Sequence, residues 1–183
     1  MSNRVVVLPL VAVLVAAAAC GDDTSSPRSN TVNLSATLTP AGEGVALNGN
    51  TSASAGTFSA TLDTVTNAFT YTVQYSGLSS NVSAGHIHGP FNPGQATPPT
   101  AGVILNFDPT IANSPLPSGA VFTKGATSGT ATSTVTLSAA VSISTTVNGD
   151  SLKKLLLDGK TYANIHTTNN PGGEIRGQIS IAP

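Results

Sequence analysis

From Thr31 onward, apolar residues recur at every second position in short runs separated by Gly, Pro, Asn and Asp. That period is the signature of half-buried β-strands. Val32, Leu34, Ala36 and Leu38 form one such run, and Phe58, Ala60 and Leu62 a second. The clearest covers residues 67–75, where Phe69, Tyr71, Val73 and Tyr75 point one way and Thr70, Thr72 and Gln74 the other. Asp63-Thr64 and Thr66-Asn67, between the second and third runs, predict a short hairpin connection. Further strands are predicted over 85–88, 102–107, 129–137, 161–167 and 174–181. The total is about eight, and the fold class is all-β: a Greek-key, immunoglobulin-like sandwich. One segment reads as a helix, 150–157, with Asp150 as its cap, Gly159 as its stop, and Leu152, Leu155 and Leu156 on its inner face.

Composition sharpens this picture. The 183 residues include 25 Thr and 21 Ser, and only 8% are charged. Threonine suits the solvated face of a strand and is mediocre in helices. Apolar residues at 39% suffice for one core, and the length fits one folded domain. With a net charge of −1 and seven basic residues, the chain lacks the footprint of a nucleic-acid partner. Its single cysteine excludes an internal disulfide and a thiolate zinc site.

The first 30 residues read as an address. Arg4 precedes an apolar stretch from Val5 to Ala19, too short for the ~20 residues of a membrane-spanning helix, which predicts a signal peptide over 1–19. The small residues before Cys20 resemble the lipobox of bacterial lipoproteins, so Cys20 is the expected lipidation site. Ala17 stands where that pattern usually has Leu, and cleavage after Ala19 without acylation is the alternative. Residues 20–30, polar and carrying Pro27, are expected to form a tether, and 31–183 the folded domain.

Candidate chemistry is confined to three histidines. His86 and His88 lie two apart, so both leave one face of a strand while Ile87 leaves the other. His166, Asn164 and Tyr162 share a face opposite Ile165 and Ala163. In the closing strand, Glu174, Arg176 and Gln178 alternate against Ile175 and Ile179, which predicts a structural ion pair between Glu174 and Arg176.

Gly85-His86-Ile87-His88-Gly89, Tyr162-Ala-Asn-Ile-His-Thr167 and Gly173-Glu-Ile-Arg-Gly-Gln-Ile179 resemble the CHRD domain family, first described in chordin and found in many bacterial secreted proteins. The resemblance runs from about Val32 to Ile181. It implies an all-β extracellular domain and no defined biochemical activity.

Two readings of the histidines stand side by side. In one, His86, His88 and His166 hold copper or zinc, with water or Glu174 completing the site. This would be a mononuclear metalloprotein, with oxidoreductase chemistry as its extension. Unperturbed imidazoles would then lose the metal as pH falls through about 6.5. In the other reading the rings are hydrogen-bonded strand-end residues. The sequence as a whole points to an exported, lipid-anchored, non-catalytic binding or structural module at the cell envelope. Its partner would be an envelope or extracellular protein or ligand, and it would meet the membrane through its anchor alone.

Overall fold

A computed structural model of the chain describes residues 30–92, 101–138 and 147–183. The predicted signal peptide, Cys20 and nearly all of the tether lie outside the described residues. Among the described residues nine strands form: β1 (Thr31–Leu38), β2 (Ala55–Asp63), β3 (Ala68–Ser76), β4 (Val82–His88), β5 (Val103–Asn106), β6 (Val121–Phe122), β7 (Gly129–Thr136), β8 (Thr161–Thr167) and β9 (Ile175–Ile181). They join in the order β5-β4-β8-β9-β1-β2-β3-β7-β6. Every pairing is antiparallel. The all-β expectation holds, with nine strands among the described residues in place of about eight. The extra strand, β6, is two residues long and sits against Thr132 and Ala131 of β7. Two residues cannot show an alternation, so no periodic signal marks it.

The strands form where alternation predicts them. In β2 and β3 the residues Phe58, Ala60, Leu62, Phe69, Tyr71, Val73 and Tyr75 are buried. The Thr, Ser and Gln residues between them face outward. Their hairpin is tightened by Asp63, whose carboxylate accepts the backbone N–H groups of Val65 and Thr66 at 2.8 Å each.

The sheet curls so that its two halves face each other in a sandwich-like arrangement. Ile87, Leu105, Phe107, Ile165, Ile175 and Ile179 from the β5-β4-β8-β9 half share one core with the β2-β3 residues. Tyr71 and Phe107 meet across it with ring centroids 5.2 Å apart. The connections β3 to β4, β5 to β6 and β7 to β8 cross between halves, and the last strand returns beside the first.

The one α-helix among the described residues, α1 (Gly149–Leu157), buries Leu152 and Leu156. Its cap is Asn148, whose side chain accepts the N–H of Ser151 at 3.0 Å, and Asp150 lies in the first turn instead. The two residues compete for one role, and Asn148 is at the right distance to satisfy that orphan donor.

β9 is seated tightly on β1. A Cβ on Gly177 would lie 2.2 Å from the carbonyl oxygen of Thr37, so only glycine fits there. Thr39 and Arg176 also exchange two backbone hydrogen bonds of 3.1 Å. After β1, Pro40–Glu43 makes a 3-10 turn that lays Glu43 and the following residues over the outer face of β8 and β9. This is why every residue of β8 is buried, on both faces.

A candidate metal centre beside a polar cavity

The pairing of β4 with β8 sets the site. His86 lies opposite Asn164, His88 opposite Tyr162 and Ala84 opposite His166. His86 and His166 are therefore diagonal neighbours on one sheet face, within reach of long side chains. Ile87 and Ile165 enter the core from the other face, as the strand period requires. The three imidazoles converge: each offers a ring nitrogen, and these nitrogens lie within 4.8 Å of one another. His88 and His166 are buried and His86 is half-buried.

Hydrogen bonds fix which nitrogens face the centre. His166 Nδ1 lies 2.9 Å from the carbonyl oxygen of Pro171, and His88 Nδ1 lies 2.9 Å from that of Ala101. A carbonyl only accepts, so both Nδ1 atoms carry the proton and both Nε2 atoms present a lone pair. His166 Nε2 meets His86 Nδ1 at 3.0 Å, while His88 Nε2 is buried with no hydrogen-bond partner among the described residues. A carbonyl that accepts the proton of the far ring nitrogen, as behind two of these imidazoles, is the usual support for metal-ligating histidine.

A tetrahedral ion bound at about 2.0–2.1 Å needs ligand nitrogens roughly 3.3 Å apart. The 3.0 Å pair is already near that spacing, and the third nitrogen lies within 4.8 Å of both. His86 would give up its hydrogen bond and carry its proton on Nε2 instead.

Burial, reinforced by the charges of His166 and His88, drives His86 down to about 3. Burial likewise drives His88 to about 4 and lowers His166, each against a backbone hydrogen bond that raises it. All three rings are neutral at physiological pH. Proton competition for the site is therefore displaced well below the 6.5 of a free imidazole.

Glu174 does not join this cluster, and it does not pair with Arg176. Its carboxylate receives five hydrogen bonds: from the hydroxyls of Ser54, Ser79 and Thr167, the N–H of Ser79 and the side-chain amide of Asn170, at 2.6–3.0 Å. Burial alone would raise its pKa, but these donors outweigh it and hold the carboxylate at about 2. The physical reason is local. Gly173 has φ 128, and the strand begins only at Ile175, so the alternation that places Arg176 and Gln178 does not extend back to Glu174. Glu174 fastens three loops instead.

Arg176 lies between aromatic rings. Its guanidinium carbon is 3.4 Å from the Tyr162 centroid and 4.5 Å from that of Phe91. Tyr162 in turn stacks parallel to His88, with centroids 4.8 Å apart. The column His88–Tyr162–Arg176 thus crosses three neighbouring strands.

Next to it lies Glu43, a residue the sequence pattern does not single out. Its carboxylate accepts both contacts of the Asn164 amide, at 2.9 and 3.2 Å. Burial raises Glu43 to about 7, against the lowering effects of the Arg176 charge and the Asn164 hydrogen bond. Glu43, His88, Tyr162, Asn164 and Arg176 line a cavity of about 270 Å³, closed on other sides by 45–48 and 170–173. Gly173 makes room for this arrangement, since a Cβ there would sit 2.6 Å from Glu43 Oε1.

Comparison with known proteins agrees with this architecture and with the motifs at its site. No curated protein and no solved structure matches the chain. The family model of the CHRD domain matches residues 34–179, a span that contains all three histidines, Glu43, Glu174 and Arg176. The chain belongs to the CHRD domain family.

Proposed function

We propose that this protein is an exported, lipid-anchored CHRD module that binds without catalysing a reaction at the cell envelope, and that its bound group is a copper or zinc ion held by His86, His88 and His166. The observation that carries the metal reading is the convergence of three neutral imidazoles with two Nδ1 atoms tied to carbonyls. Three nitrogen ligands on a rigid sheet suit either ion, and a fourth position remains for water or a small ligand. CHRD membership supports a binding or structural module in general. Export and anchoring rest on the apolar run before Cys20 and on that cysteine being the chain's only one. The test is elemental analysis of protein purified from its envelope fraction without an affinity tag. One equivalent of copper or zinc per chain supports the reading; a metal-free protein that also fails to take up either ion on dialysis refutes it.

A further inference from the structure

The cavity beside the histidines has the features of a ligand site in its own right. Six buried side-chain polar atoms lack a hydrogen-bond partner among the described residues, and three of them belong to residues lining this one cavity: His88 Nε2, Asn164 Oδ1 and Arg176 Nη2. Unpartnered buried polar atoms are scarce in folded proteins, so their concentration around one space calls for a cause. The proposed metal would take up His88 Nε2. It does not account for Arg176 and Asn164.

Arg176 is 4% exposed, and among the described residues no carboxylate lies within ion-pairing distance of it. Two aromatic faces cover its planes, but they do not neutralise its charge. Glu43 lines the same cavity and feels the Arg176 charge, but it makes no ion pair with the guanidinium, whose open edge a planar carboxylate would match in geometry and charge. Asn164 Oδ1 adds the complementary demand, for a hydrogen-bond donor on the same ligand. A volume of about 270 Å³ admits a small molecule of up to roughly ten heavy atoms, at the ~30 Å³ that one water takes in the liquid. Val45 and Leu47 supply an apolar wall that makes a highly hydrated, multiply charged anion a poorer fit.

We infer that this cavity binds a small hydroxycarboxylate, with its carboxylate on Arg176 and its hydroxyl donating to Asn164 Oδ1. The site goes beyond the metal reading and does not depend on it, although His88 borders both.

Calorimetric titration of the full-length protein with glycolate, and separately with its neutral isostere glycolamide, tests the inference. Glycolate is expected to bind with a Kd of roughly 1 mM or tighter, and glycolamide at least about tenfold more weakly. Equal binding of the two, or no binding of either, overturns it; the cavity then holds water only. Arg176→Lys keeps the charge but not the planar fork, and should weaken glycolate by about tenfold or more. Should that variant fail to fold, the comparison of the two ligands on the wild type still decides. The same titration on chelator-treated protein and on His86→Ala separates this site from the metal. Retained glycolate binding supports the cavity whatever the metal result, whereas its loss places the anion on the metal and overturns the assignment to Arg176.

Discussion

Glu43→Gln should raise stability at high pH and leave it nearly unchanged at low pH. The reasoning is linkage. Glu43 sits at 4.5 in the unfolded chain and at about 7 in the fold, because burial penalises its charged form more than Arg176 and Asn164 favour it. A raised carboxyl pKa means that the native state holds its proton more firmly than the unfolded state. The stability this group contributes is complete below pH 4.5 and is lost as pH rises to about 7. The rise from 4.5 to about 7 corresponds to roughly 3 kcal/mol. Glutamine does not ionise, and its carbonyl can still accept the Asn164 amide. The histidines act in the opposite sense over an overlapping range. Their depressed values mean that the unfolded chain binds protons first, so they remove stability as pH falls below 6.5. Only the difference between variant and wild type isolates Glu43. Urea denaturation of both proteins between pH 4.5 and 8 should give a difference near zero at the acid end and about 3 kcal/mol in favour of the variant at the basic end. A flat difference, or one that grows toward acid, would refute the account of Glu43 as a buried, charge-averse group.

Other expectations follow from the core, the strand contacts and the N-terminus. Val73→Asp should cost at least about 4 kcal/mol, since Val73 is fully buried among aromatic rings, whereas Thr72→Asp on the outer face should cost about 1 kcal/mol or less. Equal shifts in urea midpoint would show the strand faces to be misassigned. Gly177→Ala should destabilise by about 2 kcal/mol or more, because its Cβ would push into the Thr37 carbonyl; thermal melting without a fall in Tm would contradict the tight β1–β9 contact. Cys20→Ser should move the protein from the membrane fraction to the soluble extract with its melting temperature unchanged, and a wild-type protein that is already soluble would rule out the lipid anchor.

The fold was legible because its strands bury one face and solvate the other. Phe69, Tyr71, Val73 and Tyr75 alternate with polar residues, and the structure uses that alternation directly. The short β6 was not legible, since pairing with β7 defines it and not any pattern of its own. At the site, periodicity placed His86 and His88 on one face and His166 on a matching face. Their convergence depends on the β4–β8 register, which brings Ala84 and not His86 opposite His166 and so makes the histidines diagonal neighbours. Glu174 departs from its expected place because the alternation of Arg176 and Gln178 begins with the strand at Ile175 and does not reach back to the left-handed turn at Gly173. Glu43 is illegible in the sequence for a different reason. It ends a 3-10 turn with no strand period, and a single acid in a sparsely charged chain looks like a solvated one. The signal that could have marked it is the neighbouring Thr39-Pro40, which starts a tight turn directly after a strand and folds the acid back over the sheet.

The most direct test of the metal centre is competitive titration of zinc and copper(II) into the wild type and into the single variants His86→Ala, His88→Ala and His166→Ala, with the wild type followed from pH 8 down to pH 4. Three ligands on one ion predict a single site per chain whose affinity falls by orders of magnitude in every variant. The depressed values of His86 and His88 predict that wild-type binding persists well below pH 6.5. Binding that is weak or absent in the wild type, or that survives the loss of any one histidine unchanged, would contradict the metal centre and leave the imidazoles as structural hydrogen-bonding groups.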